Sequence, residues 1–203
     1  MNLPSAGVLS QSPNKPLPQE ALALIDRLDV PPRLLAHLIL VHDCASELIE
    51  RVARAFPNVQ MNRTAILFGA ATHDLGKTIV REELSRSGNL HQARGFELLK
   101  ELGVPAEKAR FALTHGQWRN LDSPQIEDLL VALADKCWKA KRVEDLEAKL
   151  VELLSKESGQ EPWQCHSTLD EILQELAAEA DKKLAWQLSF PVESRPPAAI
   201  PDP

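Results

Sequence analysis

The sequence predicts an all-α fold, one compact multi-helix bundle, on three observations. Apolar residues recur at steps of three and four through most of the chain, as they do on amphipathic helices. No stretch alternates apolar and polar at period two for long enough to make a convincing strand. Breaker residues such as Pro31-Pro32, Pro57 and Gly103-Val104-Pro105 stand between the periodic stretches and divide them into helix-sized pieces. A chain of 203 residues suits one domain with extensions.

Residues 1–18 hold Pro4, Pro13, Pro16 and Pro18 among Ser, Asn and Gln, which predicts a disordered N-terminal arm. A short helix is expected over 19–28. Residues 33–56 form a long helix ended by Pro57, with the stripe Leu34, Leu38, Val41, Ala45, Leu48 and Val52, on which His37 also lies. The run Ala65–Ala71 has no charge and no polar face, so its helix must cross the interior. Gly76 is expected to end that helix in a left-handed cap. A polar linker through Ser85–Gly88 leads to a helix over 90–102, with His91 in its first turn. A short helix over 106–114 runs into His115-Gly116. Ser123-Pro124 is expected to cap the next helix, which sets Asp135 beside an apolar face. Further helices are expected over 143–155 and 167–188, the last with the repeat Leu169, Ile172, Leu173, Leu176, Ala180 and Leu184. Residues 191–203 form a second Pro-rich tail, leaving 19–190 as a single helical domain.

Composition narrows the function. A net charge of −6, few aromatics and no Tyr argue against extended nucleic-acid or anionic-membrane surfaces. No apolar run approaches the roughly 20 residues that span a bilayer, and the N-terminus lacks the basic and apolar regions of a secretory signal. A cytoplasmic location is expected. Cys44, Cys137 and Cys165 form no close pair in sequence and are read as packing residues of a reducing compartment.

The chemistry gathers at Thr72-His73-Asp74-Leu75-Gly76-Lys77, where a buried helix ends in adjacent imidazole and carboxylate. Held in low dielectric, such a pair either hydrogen-bonds internally or begins a divalent metal site. His37, His91, His115 and Asp135 each lie on or at the end of a different expected helix. Each alone is an ordinary core residue, but a small domain would have to bury four unrelated imidazoles near two carboxylates. His42-Asp43 is a second dipeptide of this kind. It lies mid-helix, and five residues beyond His37 it is turned about 140° away, so it is read as a decoy. His166 is expected to serve at the surface or in packing.

The series His37, His73-Asp74, His91, His115, Asp135, with His73-Asp74-Leu75-Gly76-Lys77 at its centre, resembles the HD-domain superfamily of metal-dependent phosphohydrolases. The flanking His37-x3-Val41-x3-Ala45, His91-x3-Gly95 and Ala134-Asp135-Lys136 agree, and the resemblance covers roughly 33–142. It implies one metal at His37, His73, Asp74 and Asp135, and a second engaging His91 and His115, as in the dinuclear subset where the central Asp bridges. It implies one or two divalent ions (Mn, Fe, Co, Zn or Ni) and a metal-activated hydroxide that cleaves a phosphate ester or anhydride of a small molecule or nucleotide. Asp74 and Lys77 are then the catalytic candidates, Lys77 as the contact to an anionic substrate. Arg81, Arg119, Lys136, Lys139 and Arg142 are candidates for a basic rim. A thinner likeness to HD-type dinucleoside polyphosphate hydrolases rests on His115-Gly116, Ala134-Asp135-Lys136 and Arg142. The same ligand types also serve a di-iron oxygenase, as in the inositol oxygenase-like HD group, and a non-catalytic ligand-sensing module is a third reading.

Overall fold

The computed structural model describes residues 15–193, so most of the arm and tail expected at the two ends lies outside the described residues. Among the described residues there are ten α-helices, three short 3-10 helices and no strand. In order they are α1 (Gln19–Arg27), α2 (Pro32–Ala55), α3 (Arg63–Thr72), α4 (Leu90–Glu101), α5 (Ala106–Ala109), α6 (Phe111–Gln117), α7 (Ile126–Cys137), α8 (Glu144–Ser158), α9 (Pro162–Ala177) and α10 (Ala180–Leu188). The 3-10 helices are Leu75–Thr78, Arg81–Leu84 and Trp118–Asn120.

The long helix α2 is the central column. Pro32 starts it where a missing N–H costs nothing, and α3, α7, α9 and α10 all pack against it. Its buried residues include Leu34, Leu35, Leu38, Ile39, Val41 and Leu48, which face more than one neighbour. Removing each such side chain from water contributes on the order of 1.5–3 kcal/mol. As its composition requires, α3 is buried over Ile66 and Phe68–Thr72, with Leu67 partly buried against the core. The Asn62 side chain caps α3 by accepting from the Ala65 N–H at 3.0 Å.

Gly76 departs from the expectation. It does not take a left-handed conformation; the chain passes from α3 into the 3-10 helix Leu75–Thr78. Glycine is needed there for close approach, because a Cβ would stand 2.0 Å from the His91 carbonyl and 2.8 Å from the Gly95 Cα. The one-turn spacing of His91 and Gly95 thus presents the backbone of α4 to the turn that follows His73-Asp74.

Three further boundaries differ. The start of α7 is tied not by Ser123 but by Asp128, whose carboxylate accepts from the Gln125 N–H at 3.3 Å. The same buried carboxylate accepts from Arg110 Nε and Thr114 Oγ1, both at 2.9 Å, fastening α6 to α7 beside His115. The expected helix over 167–188 is two helices, because the chain bends at Ala178-Glu179 and no Gly or Pro marks the bend. The first begins at Pro162 rather than near Ser167, which sets the exposed His166 inside α9. The chain outside α1–α10 is also held: the Lys15 N–H donates to Asp43 at 3.1 Å, and its Nζ to Ser46 at 2.9 Å.

The fold pairs two cysteines that stand 93 residues apart in sequence: Cys44 Sγ of α2 lies 3.1 Å from Cys137 Sγ of α7. The neighbouring Cys137 thiol and burial push the Cys44 thiol well above its ordinary range, so Cys44 stays a neutral packing group. No described helix is long and apolar enough to cross a membrane.

Candidate metal centre

Five helices bring the six sequence-derived candidates to one point. His37 comes from α2, His73 from the end of α3, Asp74 from the next residue, His91 from α4, His115 from α6 and Asp135 from α7. All six are buried, none more than 7% exposed.

The two oxygens of Asp74 divide the cluster. On one side Asp74 Oδ2 lies 3.2 Å from His37 Nε2 and 3.7 Å from His73 Nε2. Asp135 Oδ1 joins them there, 3.3 Å from His37 Nε2 and 3.9 Å from His73 Nε2. On the other side Asp74 Oδ1 lies 3.1 Å from His91 Nε2 and 3.5 Å from His115 Nε2. The two imidazole pairs close up as well, at 3.3 Å for His37–His73 and 3.4 Å for His91–His115. Donor atoms bound at about 2.0–2.2 Å to one ion stand roughly 3–3.5 Å apart, and these separations are close to that.

Tautomers sharpen the fit. His73 Nδ1 donates to the Ala70 carbonyl and His115 Nδ1 to the Phe111 carbonyl, each at 3.0 Å. A carbonyl only accepts, so both Nε2 atoms are bare when the rings are neutral. Their lone pairs then face carboxylate lone pairs, an arrangement that a cation placed between them relieves. Protons serve part of the cluster. Burial works against charge at His37 and His91, yet Asp135 and Asp74 outweigh it at His37, and Asp74 and Glu83 at His91, raising both. His73 is the reverse, since burial holds it down to about 3 and keeps it a neutral donor. A divalent ion engages that lone pair where a proton does not. Burial would raise both carboxylates, but Lys77 at Asp74 and His37 at Asp135 hold them well below the usual range. Imidazole nitrogens and ionised carboxylates are the donor set of a divalent transition ion, and two buried groups have ligand atoms close enough to share one: His37, His73 and Asp135, and His73, Asp74 and His115.

Lysines surround the acids. Lys77 Nζ lies 2.5 Å from Asp74 Oδ2 and Lys136 Nζ 2.5 Å from Asp135 Oδ2, while Lys139 Nζ is 3.5 Å from Asp135 Oδ1. The rest of the expected rim is elsewhere. Arg142 binds Glu147 and Asp170, Arg119 pairs with Asp145, and Arg81 is exposed with no ion pair among the described residues. Arg142 does not share a helix face with Lys136 and Lys139, because α7 ends at Cys137.

Glu83 is the residue that motif reading misses. Its carboxylate accepts from His91 Nδ1 at 2.5 Å and from the Leu90 and His91 N–H groups at 3.0 and 3.1 Å. Such a partner fixes the ring and leaves its far nitrogen turned to the cluster. The only sequence signal was an acid eight residues before a candidate histidine. His42 is buried but outside the cluster, and neither of its ring nitrogens has a hydrogen-bond partner among the described residues.

A cavity of about 200 Å³ opens onto the His37 side. Arg33, Lys77 and Lys139 bring positive charge to it, and Leu34, Leu84, Trp138 and Val192 bring apolar surface. A family model described as HD domain matches residues 34–139, which contain all six clustered residues. Comparison with curated proteins and with solved structures gives no match.

Proposed function

The chain belongs to the HD-domain family, and we propose that it is a metal-dependent phosphohydrolase acting on a small phosphorylated substrate. The observation that carries this is the division of the buried cluster by Asp74, one oxygen toward His37 and His73 and the other toward His91 and His115. In this reading His37, His73, Asp74 and Asp135 hold one divalent ion, and Asp74, His91 and His115 a second. When bound, such ions polarise phosphoryl oxygens and lower the pKa of water.

The chain's own groups supply the remainder. Asp74 is shared between the two sides and keeps them in register. Glu83 orients His91 through Nδ1, and the Ala70 and Phe111 carbonyls do the same for His73 and His115. Lys77 and Lys139 line the cavity and offset the charge of an anionic substrate there. Those ammonium groups favour a phosphate ester over a neutral substrate awaiting oxidation, although the donor set itself suits iron as well.

The test uses one preparation loaded in parallel with manganese and with iron, followed by phosphate release and oxygen consumption. Phosphate or a dephosphorylated product should appear without O2. Substrate-dependent O2 uptake in the iron form alone, with no phosphate released by either form, would replace this reading with the oxygenase one.

A further inference from the structure

The cavity over the cluster is completed by residues far outside the family match. Gln187 and Val192 line it, facing a floor and walls contributed by His37, Lys77, Trp138 and Lys139. One residue fastens that part of the chain. Arg33 lies one helical turn before His37 on α2, so the two share a face. Its N–H donates to the Pro191 carbonyl at 3.1 Å, its Nε to Phe190 at 2.8 Å and its Nη2 to Leu188 at 3.4 Å. These carbonyls lie at and just past the C-terminus of α10, where unsatisfied acceptors and the helix dipole favour a cation. The Phe190 ring packs edge-on against Trp186, centroids 5.0 Å apart, which ties the segment to α10 itself.

We propose that this segment is a wall that sets substrate size, restricting the site to phosphate monoesters of compact, uncharged alcohols. This inference rests on the phosphohydrolase reading. The cavity, about 200 Å³, is below the roughly 300–1,000 Å³ of pockets that bury drug-sized ligands. It therefore encloses a phosphate with a small organic group, whereas a nucleoside would stand partly outside it. Charge points the same way. The Arg33 guanidinium is held by main-chain carbonyls and Glu83 by His91 and two N–H groups, so the charges that can turn to a phosphate are the ammonium groups of Lys77 and Lys139, beside Asp74 and Asp135. Leu34, Leu84 and Val192 offer the organic group apolar contact without a second anion site. Dinucleoside polyphosphates, a class the motif spacing faintly resembles, are excluded by this wall.

Binding to metal-loaded protein, measured by calorimetry, tests the wall independently of turnover. The probes are phenylphosphonate and a nucleoside 5′-phosphonate, neither of which has an ester bond to break. Wild-type protein should bind phenylphosphonate at least about tenfold more tightly. In Arg33→Ala the gap should narrow to about threefold or less, through a gain by the nucleoside probe. Val192→Trp, a change on a partly exposed residue that leaves the Arg33 bonds alone, should weaken phenylphosphonate while inorganic phosphate binds as before. Equal binding of both probes by wild type, no binding of either, or a gap untouched by both substitutions would overturn the proposal. Size-selective binding with no phosphate released from any ester would uphold the wall and sink the hydrolase reading. Phosphate release without size discrimination would do the opposite.

Discussion

Asp74→Ala should give a folded, helical protein with no measurable turnover and little bound metal. Asp74 offers a separate oxygen to each half of the cluster, Oδ2 toward His37 and His73 and Oδ1 toward His91 and His115. Alanine removes a donor from each half at once, whereas loss of His37 or His91 removes a donor from one half. The fold should survive because α3 is seated by Ile66, Phe68, Ala70 and Ala71 and the following turn by Leu75, all essentially buried. Lys77 loses its partner without being stranded, since its side chain is 23% exposed and reaches water. Metal analysis, circular dichroism and the phosphate assay on one preparation check all three parts. An active Asp74→Ala protein would contradict the assignment. So would inactivity of His42→Ala alongside an active His37→Ala.

Lys77→Ala should keep its metal and lose about 10²- to 10³-fold in turnover, equivalent to roughly 3–4 kcal/mol of transition-state stabilisation. Its ammonium both touches Asp74 Oδ2 and lines the cavity, so it is the charge nearest both the acid and an incoming anion. Burial works to lower its pKa, but Asp74 outweighs it and raises the value, keeping the charge in place through neutral pH. A compact point charge can follow a phosphate oxygen without a fixed bidentate geometry. Parallel metal and rate measurements separate two roles. A rate loss with metal retained assigns Lys77 to the substrate, whereas loss of metal would assign it to the positioning of Asp74.

The six clustered residues were legible in the sequence because each lies on, at the end of or just past an expected helix and because their order and spacing resemble the HD-domain series. His37 shares the apolar stripe of its helix, and Asp135 borders another. What escaped depends on contacts between distant segments. Glu83 acts on His91 through a 3-10 turn that has no periodic signature. Gly76 looked like a helix stop, yet the close approach of α4 is what requires it. The bend at Ala178-Glu179 was hidden because the apolar stripe runs on through Leu176 and Ala180 with no Gly or Pro at the break. Nothing local at Gln187, Val192 or Arg33 shows that they meet over the cluster. Lys139 was legible as a basic residue, but its place beside Asp135 depends on where α7 ends.

The most direct test of the divided cluster is metal stoichiometry per folded chain, measured on wild-type protein and on His91→Ala after equilibration with one divalent ion. The account predicts two equivalents in the wild type and one in the variant, with the ion held by His37, His73, Asp74 and Asp135 remaining. No bound metal in the wild type, or the same stoichiometry in both proteins, would contradict it.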